Sequence, residues 1–186
     1  MSNTREPRVL FLLTGSIACF KACELVSRLV KRGCAVQTVA STGALRFVGT
    51  ATLEGLTGRP PFTDLYQSGR VMDHIHLARW ADAALVCPAT ANSLNRLAAG
   101  LADDVIGALF LAWEIAAKPW LIAPAMNAAM WEHPATRASR QRLADYGARL
   151  LPVGDGRLAC GESGEGRLLE VADIETELLG ALGTPR

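Results

Sequence analysis

The chain has little charge to spare: 19 Lys and Arg against 18 Asp and Glu leave +1 over 186 residues, with the basic residues scattered. No electrostatic stripe is available to hold nucleic acid or an anionic membrane surface, so the expected partners are small molecules or copies of the same chain. Aromatics are few, and no apolar run reaches the roughly 18 residues needed for a membrane span. The five cysteines, Cys19, Cys23, Cys34, Cys87 and Cys160, form an odd set with no CxxC pair. That set gives neither a disulfide framework nor a zinc ligand pattern. Cys19 and Cys23 lie four apart but have no His or acidic partner to complete a metal set, so we read them as small buried hydrophobes and expect no metal. The start, MSNTREPRVLFLL, lacks the segments of a secretory leader, and a cytoplasmic protein with reduced thiols is expected.

Half of the residues are hydrophobic, enough for one substantial core, and the length suggests a single domain over residues 1–186 with frayed ends at 1–7 and 183–186. RVLFLLT, ending at Gly15, is a short apolar run suited to a strand buried on both faces. From Ile17 to Arg32 the apolar positions Ala22, Leu25, Val26, Leu29 and Val30 recur at helical spacing, and Gly33 closes the helix. The alternation then repeats. CAVQTVAS, ADAALVCPA, KPWLIAPA and ARLLPV read as strands, separated by helical stretches, with a break at Gly100. GDGRLACGESGEGR is a glycine-rich loop, and Glu170 to Leu182 read as a closing helix. Strands alternating with helices predict an α/β three-layer sandwich: a doubly wound, Rossmann-like parallel sheet.

Ligands of such sheets sit beyond the carboxyl ends of the strands. Four predicted strand ends carry unusual residues: Gly15, Ser16 and Ile17; Ser41, Thr42 and Gly43; Thr90, Ala91, Asn92 and Ser93; and the segment around Ala125. Hydroxyls and backbone N–H groups at helix starts favour a phosphate. GS after a strand is also an ordinary helix cap, and the three-glycine dinucleotide fingerprint is missing; it is the convergence of several hydroxyl-rich ends that points to a mononucleotide.

The segment PAMNAAMW at residues 124–131 resembles the PxMNxxMW signature of the FMN-dependent cysteine decarboxylases. TGSIA at 14–18, HIxLxxWAD at 74–82, PATANS at 88–93 and LACGESGEGR at 158–167 follow the family's order and spacing. The resemblance covers about residues 8–170, and it is what names FMN as the cofactor. Asp103 departs from the pattern, since relatives often carry Asn before Asp104, which bears on a contact near the cofactor or at an interface.

The resemblance implies the following chemistry. An amide nitrogen offers no electron sink for the charge left when a terminal cysteine loses carbon dioxide. The family's flavin takes a hydride from the cysteine β-carbon, and the resulting thioaldehyde accepts those electrons. His74 matches the catalytic histidine, suited to thiol deprotonation or to steadying the carboxylate. His76 and His133 are read as structural. Asn127 would hold the carboxylate, with Met126 packing nearby. Cys160 would be the proton donor in a loop with Ala159 and Gly161 that closes over substrate. Arg167 is a candidate contact for a substrate phosphate. The ACGxxGxG loop is similar to the coenzyme A branch, which implies a lyase converting 4'-phospho-N-pantothenoylcysteine to 4'-phosphopantetheine. The other branch acts on a C-terminal peptidyl cysteine. A homotrimer or a dodecamer of trimers is also implied, with His74 facing a neighbour's flavin.

Overall fold

A computed structural model describes residues 5–156, 161 and 164–183. The anticipated frayed residues 1–4 and 184–186, and Ala159 and Cys160 of the glycine-rich loop, lie outside the described residues. In chain order the elements are β1 (Arg8–Leu13), α1 (Cys19–Lys31), β2 (Ala35–Ala40), a 3-10 turn (Ala44–Arg46), α2 (Thr50–Thr57), α3 (Asp73–Trp80) and β3 (Ala83–Ala89). There follow α4 (Ala91–Ala98), α5 (Val105–Leu111), β4 (Trp120–Pro124), α6 (Ala128–Glu132), α7 (Pro134–Asp145), β5 (Arg149–Leu150) and α8 (Val171–Gly183).

The strands form one parallel sheet in the order β2-β1-β3-β4-β5. Their side chains alternate between two cores, as the period of two requires. Val9, Phe11, Leu13, Leu85, Cys87 and Leu121 face one way, onto Leu25, Val26 and Leu29 of α1 and Ile174 and Leu178 of α8. Leu10, Leu12, Val86, Trp120 and Ile122 face the other, onto Leu94 and Leu97 of α4, Ile106 and Leu109 of α5 and Leu143 of α7. Burial on both faces is why these strands read as continuous apolar runs. The sheet is thus doubly wound, as expected. The strand order reverses between β1 and β3, the first of which is followed by a helix on one face and the second by a helix on the other.

One local reading differs from expectation, and two segments that the sequence reading left unassigned take form as helices. The last strand is only two residues long, because ARLLPV leaves the sheet after Leu150. DHIHLARW is helical, as α3, with Arg70 bonded to Asp73 at its first turn (2.6 Å). AAMWE forms the short helix α6, capped by Asn127. Cys19 and Cys87 are fully buried and Cys23 half-buried; burial pushes all three thiols up, as it does the thiol of Cys34.

Glu175 fastens α8 to α1. Its side chain is 4% exposed and bonds to Arg28 (2.8 Å) and to Arg32. Burial alone would raise the carboxyl; hydrogen bonds and charge from Arg32 and Arg28 outweigh it and hold the group below its usual value. A folded pKa below the unfolded one contributes stability that is present above the ordinary carboxylate range and lost as pH falls through the folded value. Replacing both arginines by Ala strands a buried carboxylate and is expected to cost about 3–5 kcal/mol near neutrality. In that variant the carboxyl loses the partners that hold it down, so the deficit shrinks in acid. Urea midpoints of both proteins at about pH 7 and about pH 4 check this, and a gap unchanged between them contradicts it.

Candidate active site

In sheets of order 2-1-3-4-5 the crevice opens at the carboxyl ends of β1 and β3. Here Thr14, 1% exposed, ties those two ends together. Its hydroxyl donates to Pro88 O (2.7 Å) and accepts from Thr90 N (3.0 Å). The loop after β2 is drawn in closely: a Cβ added to Gly15 would lie 3.0 Å from the Gly43 carbonyl carbon, so a side chain at Gly15 would press on the Gly43 backbone. The approach of these loops leaves a cleft of about 590 Å³, a size usual for cofactor sites.

Every cofactor candidate named from the sequence lines this cleft except Ile17, which is 58% exposed outside it. The hydroxyls are already oriented. Ser16 Oγ accepts from Ala18 N (3.2 Å) and Ser41 Oγ from Ala44 N (3.2 Å), which leaves each hydrogen available as a donor. Thr90 caps α4, accepting from Ser93 N (3.3 Å). A wall of hydroxyls at a helix start, with a guanidinium on the same wall, is a donor set that fits a phosphate. Arg96, Asp104 and Met130 also line the cleft and are not among the cofactor candidates read from the sequence; Arg96 follows Asn92 by four residues on a helix, which is the signal that reveals it.

Met126 lines the cleft, whereas Asn127, Gly161 and Arg167 are not among its lining residues, and Ala159 lies outside the described residues. Met126 N donates to Gly166 O (2.9 Å), and Gly154 N to Arg167 O (2.8 Å), so the two ends of the glycine-rich loop are fastened to each other and its far end to the PAMN segment. Gly166 has φ +127°, and a Cβ there would fall 2.5 Å from Met126 O. Asn127 Oδ1 accepts from Ala129 N (2.8 Å), which sets the plane of its amide. Arg167 is ion-paired with Glu170 rather than directed into the cleft.

His74 does not join the cleft within one chain. It sits half-buried on α3 in a separate apolar groove of about 460 Å³, with Leu65, Tyr66, Ile75, Ala108 and Leu111. Its Nδ1 lies 3.1 Å from Val71 O. A carbonyl only accepts, so Nδ1 carries the hydrogen in this contact and Nε2 of the neutral ring is the basic atom. His76 points elsewhere, toward Asp73 at 3.9 Å, and His133 caps α7 by accepting from Ala135 N (3.2 Å). Among the described residues no group of three or more His, Cys, Asp or Glu is placed to hold a metal ion, and no helix is long and apolar enough to cross a membrane.

Residues 1–183 match the flavoprotein family. The chain belongs to that family. The Mycobacterium tuberculosis coenzyme A biosynthesis bifunctional protein CoaBC is 43% identical over 177 residues, 95% of this chain and 42% of the relative. This flavoprotein therefore spans less than half the length of the curated relatives it matches. A mutant PPC decarboxylase complexed with pantothenoylaminoethenethiol shares the fold at a TM-score of 0.82 and 31% identity, over 94% of this chain and 97% of that one. The FMN-dependent cysteine decarboxylase SpaF does so at 0.77 and 33%, over 94% and 97%.

Proposed function

We propose that this flavoprotein is an FMN-dependent decarboxylase of 4'-phospho-N-pantothenoylcysteine, yielding 4'-phosphopantetheine. The observation that carries the reading is the hydroxyl-lined cleft at the β1/β3 reversal with the PAMN segment on its wall. The relatives support it: CoaBC belongs to coenzyme A biosynthesis, and the ligand of the PPC decarboxylase structure is an enethiol, the species left when carbon dioxide has gone and reduction has not followed.

Ser16, Ser41, Thr42, Thr90 and Ser93 would hold the phosphate of FMN, with Gly15, Gly43, Ala91, Asn92 and Ala125 shaping the walls. Bound there, FMN would supply a reversible hydride acceptor, so that the overall reaction is not a redox one. Asn127 receives the substrate carboxylate through its amide. A neutral donor fixes that group without the positive charge that would oppose its departure. His74 Nε2 takes the thiol proton. Cys160 would give a proton to the enethiol carbon skeleton in the reducing step, with Ala159 and Gly161 beside the substrate; Arg167 would have to leave its pair with Glu170 to reach it.

The separation of His74 from the cleft favours assembly. Its groove is rimmed by exposed Tyr66, Val71 and Leu111, apolar surface of the kind that marks an interface. Self-association as a trimer, or as a dodecamer of trimers, brings the groove of one copy to the cleft of another.

Incubation with phosphopantothenoylcysteine is expected to give a product lighter by about 44 mass units; a peptide ending in cysteine that loses about 46 would instead reveal oxidative decarboxylation of peptides. The Cys160→Ser variant is expected to stop at the enethiol, about 46 units lighter than substrate. Normal product from that variant would remove the role given to Cys160.

A further inference from the structure

The cleft wall carries two charged side chains, Arg96 and Asp104, that the hydroxyl cradle does not require. A third charge stands just behind them, since Asp103 is ion-paired with Arg96. We propose that Arg96 is a cation held in reserve by Asp103, which moves its guanidinium onto the phosphoryl oxygens of the bound nucleotide and thereby selects FMN over the uncharged riboflavin. This deepens the FMN reading above and rests on it.

Helix register places the residue. α4 starts at the Thr90 cap, and Asn92 and Ser93, which line the cleft, precede Arg96 by four and three residues; the three therefore share one helix face. Arg96 already lines the cleft, with a side chain only 27% exposed.

Its two carboxylate partners are not equivalent. Asp104 is committed to α5, where its Oδ1 accepts from Ile106 N (3.1 Å) and Gly107 N (2.8 Å). The other oxygen lies 3.7 Å from Arg96 Nε, beyond hydrogen-bond length. Asp103 is the close partner, but its side chain is 70% exposed, and an ion pair so open to water is held weakly. A phosphate dianion inside a protein-walled cleft offers the same guanidinium two charged oxygens at matching geometry with less water to compete. The exchange therefore runs from Asp103 to the ligand. Asp103 meanwhile keeps the empty cleft from presenting an unpaired cation, and its carboxylate, unlike the amide of Asn, makes uptake a competition between two anions.

The test uses flavin-free protein titrated with FMN and with riboflavin by fluorescence, for wild type, Arg96→Gln, Arg96→Lys and Asp103→Asn. Arg96→Gln is expected to weaken FMN binding about tenfold or more while changing riboflavin binding less than about twofold. Arg96→Lys should recover part of the loss, since it keeps the charge without the fork. Asp103→Asn should tighten FMN by about two- to fivefold and leave riboflavin unchanged. The salt dependence of FMN binding should become shallower only in Arg96→Gln. Equal losses for FMN and riboflavin in Arg96→Gln, no loss for either, or weaker FMN binding in Asp103→Asn would each overturn the proposal. Failure of the FMN reading looks different: wild type itself would then bind neither flavin, or riboflavin as tightly as FMN.

Discussion

Replacing Gly107 by Ala is expected to lower the melting temperature by roughly 6–12 °C. The direction is opposite to what helix propensity predicts, since Ala is normally the better helix former. Gly107 lies on the first turn of α5, and a Cβ there would stand 2.1 Å from Leu101 O and 3.0 Å from Ala102 Cα. Both neighbours are backbone, so relief requires moving the whole loop between α4 and α5. Overpacking of this kind costs about 3 kcal/mol, and a domain of this size loses about 2–4 °C for each kcal/mol. Gly55 of α2 is the matched control: nothing lies within 4 Å of its added Cβ, and Gly55→Ala is expected to stabilise by about 0.4–1 kcal/mol. Calorimetry that moved both variants in the same direction would contradict the contact. Because the same loop carries Asp103 and Asp104, Gly107→Ala is also expected to weaken flavin retention.

His74→Gln is expected to lower kcat by about 10²–10⁴-fold, the usual worth of a positioned acid or base. Flavin content should stay at the wild-type level, because His74 is absent from the cleft that would hold the phosphate. Loss of flavin in parallel with activity would mean that the histidine supports binding instead. A mixing experiment extends the result. Ser16→Asp places a negative charge in the phosphate cradle and should abolish flavin uptake while leaving α3 intact. Dissociating His74→Gln and Ser16→Asp proteins together and reassociating them should restore part of the activity if one copy's groove serves another copy's cleft. Mixtures that stay inactive would confine each His74 to its own chain.

The elements legible in the sequence are those whose patterns come from burial. Val9 to Leu13 and Ala83 to Ala89 are buried on both faces and read as unbroken apolar runs, and the stripe of Leu25, Val26 and Leu29 fixes α1. The short elements were harder for a physical reason. In α3 only Ala78 is fully buried, so His74, Ile75 and Leu77 leave no clean stripe, and α6 has five residues and one buried side chain, Trp131. Strand ends marked the cleft well because ordinary helix capping accounts for one end rich in glycine and hydroxyls but not for several that converge. Ile17 was the exception: it follows Ser16 in the chain but turns outward as the helix begins. Arg96 and Asp104 were hidden because a charged helix face looks solvated until the fold shows what lies opposite it. The separation of His74 from the cleft could not be read from spacing at all, since it depends on how α3 packs against α5 and β1, a tertiary contact.

One consequence follows from the hydroxyl of Thr14. It gives its hydrogen to Pro88 O and its lone pair to Thr90 N, so the floor of the cleft is assembled from the protein's own bonds before anything binds. A nucleotide entering such a floor has little ordering to impose, and its association is expected to be a single bimolecular step without a slower rearrangement behind it. The same bond makes Thr14 a hidden joint of the molecule: Thr14→Val keeps the shape of the residue but would turn a prefabricated socket into one that each ligand must assemble on arrival.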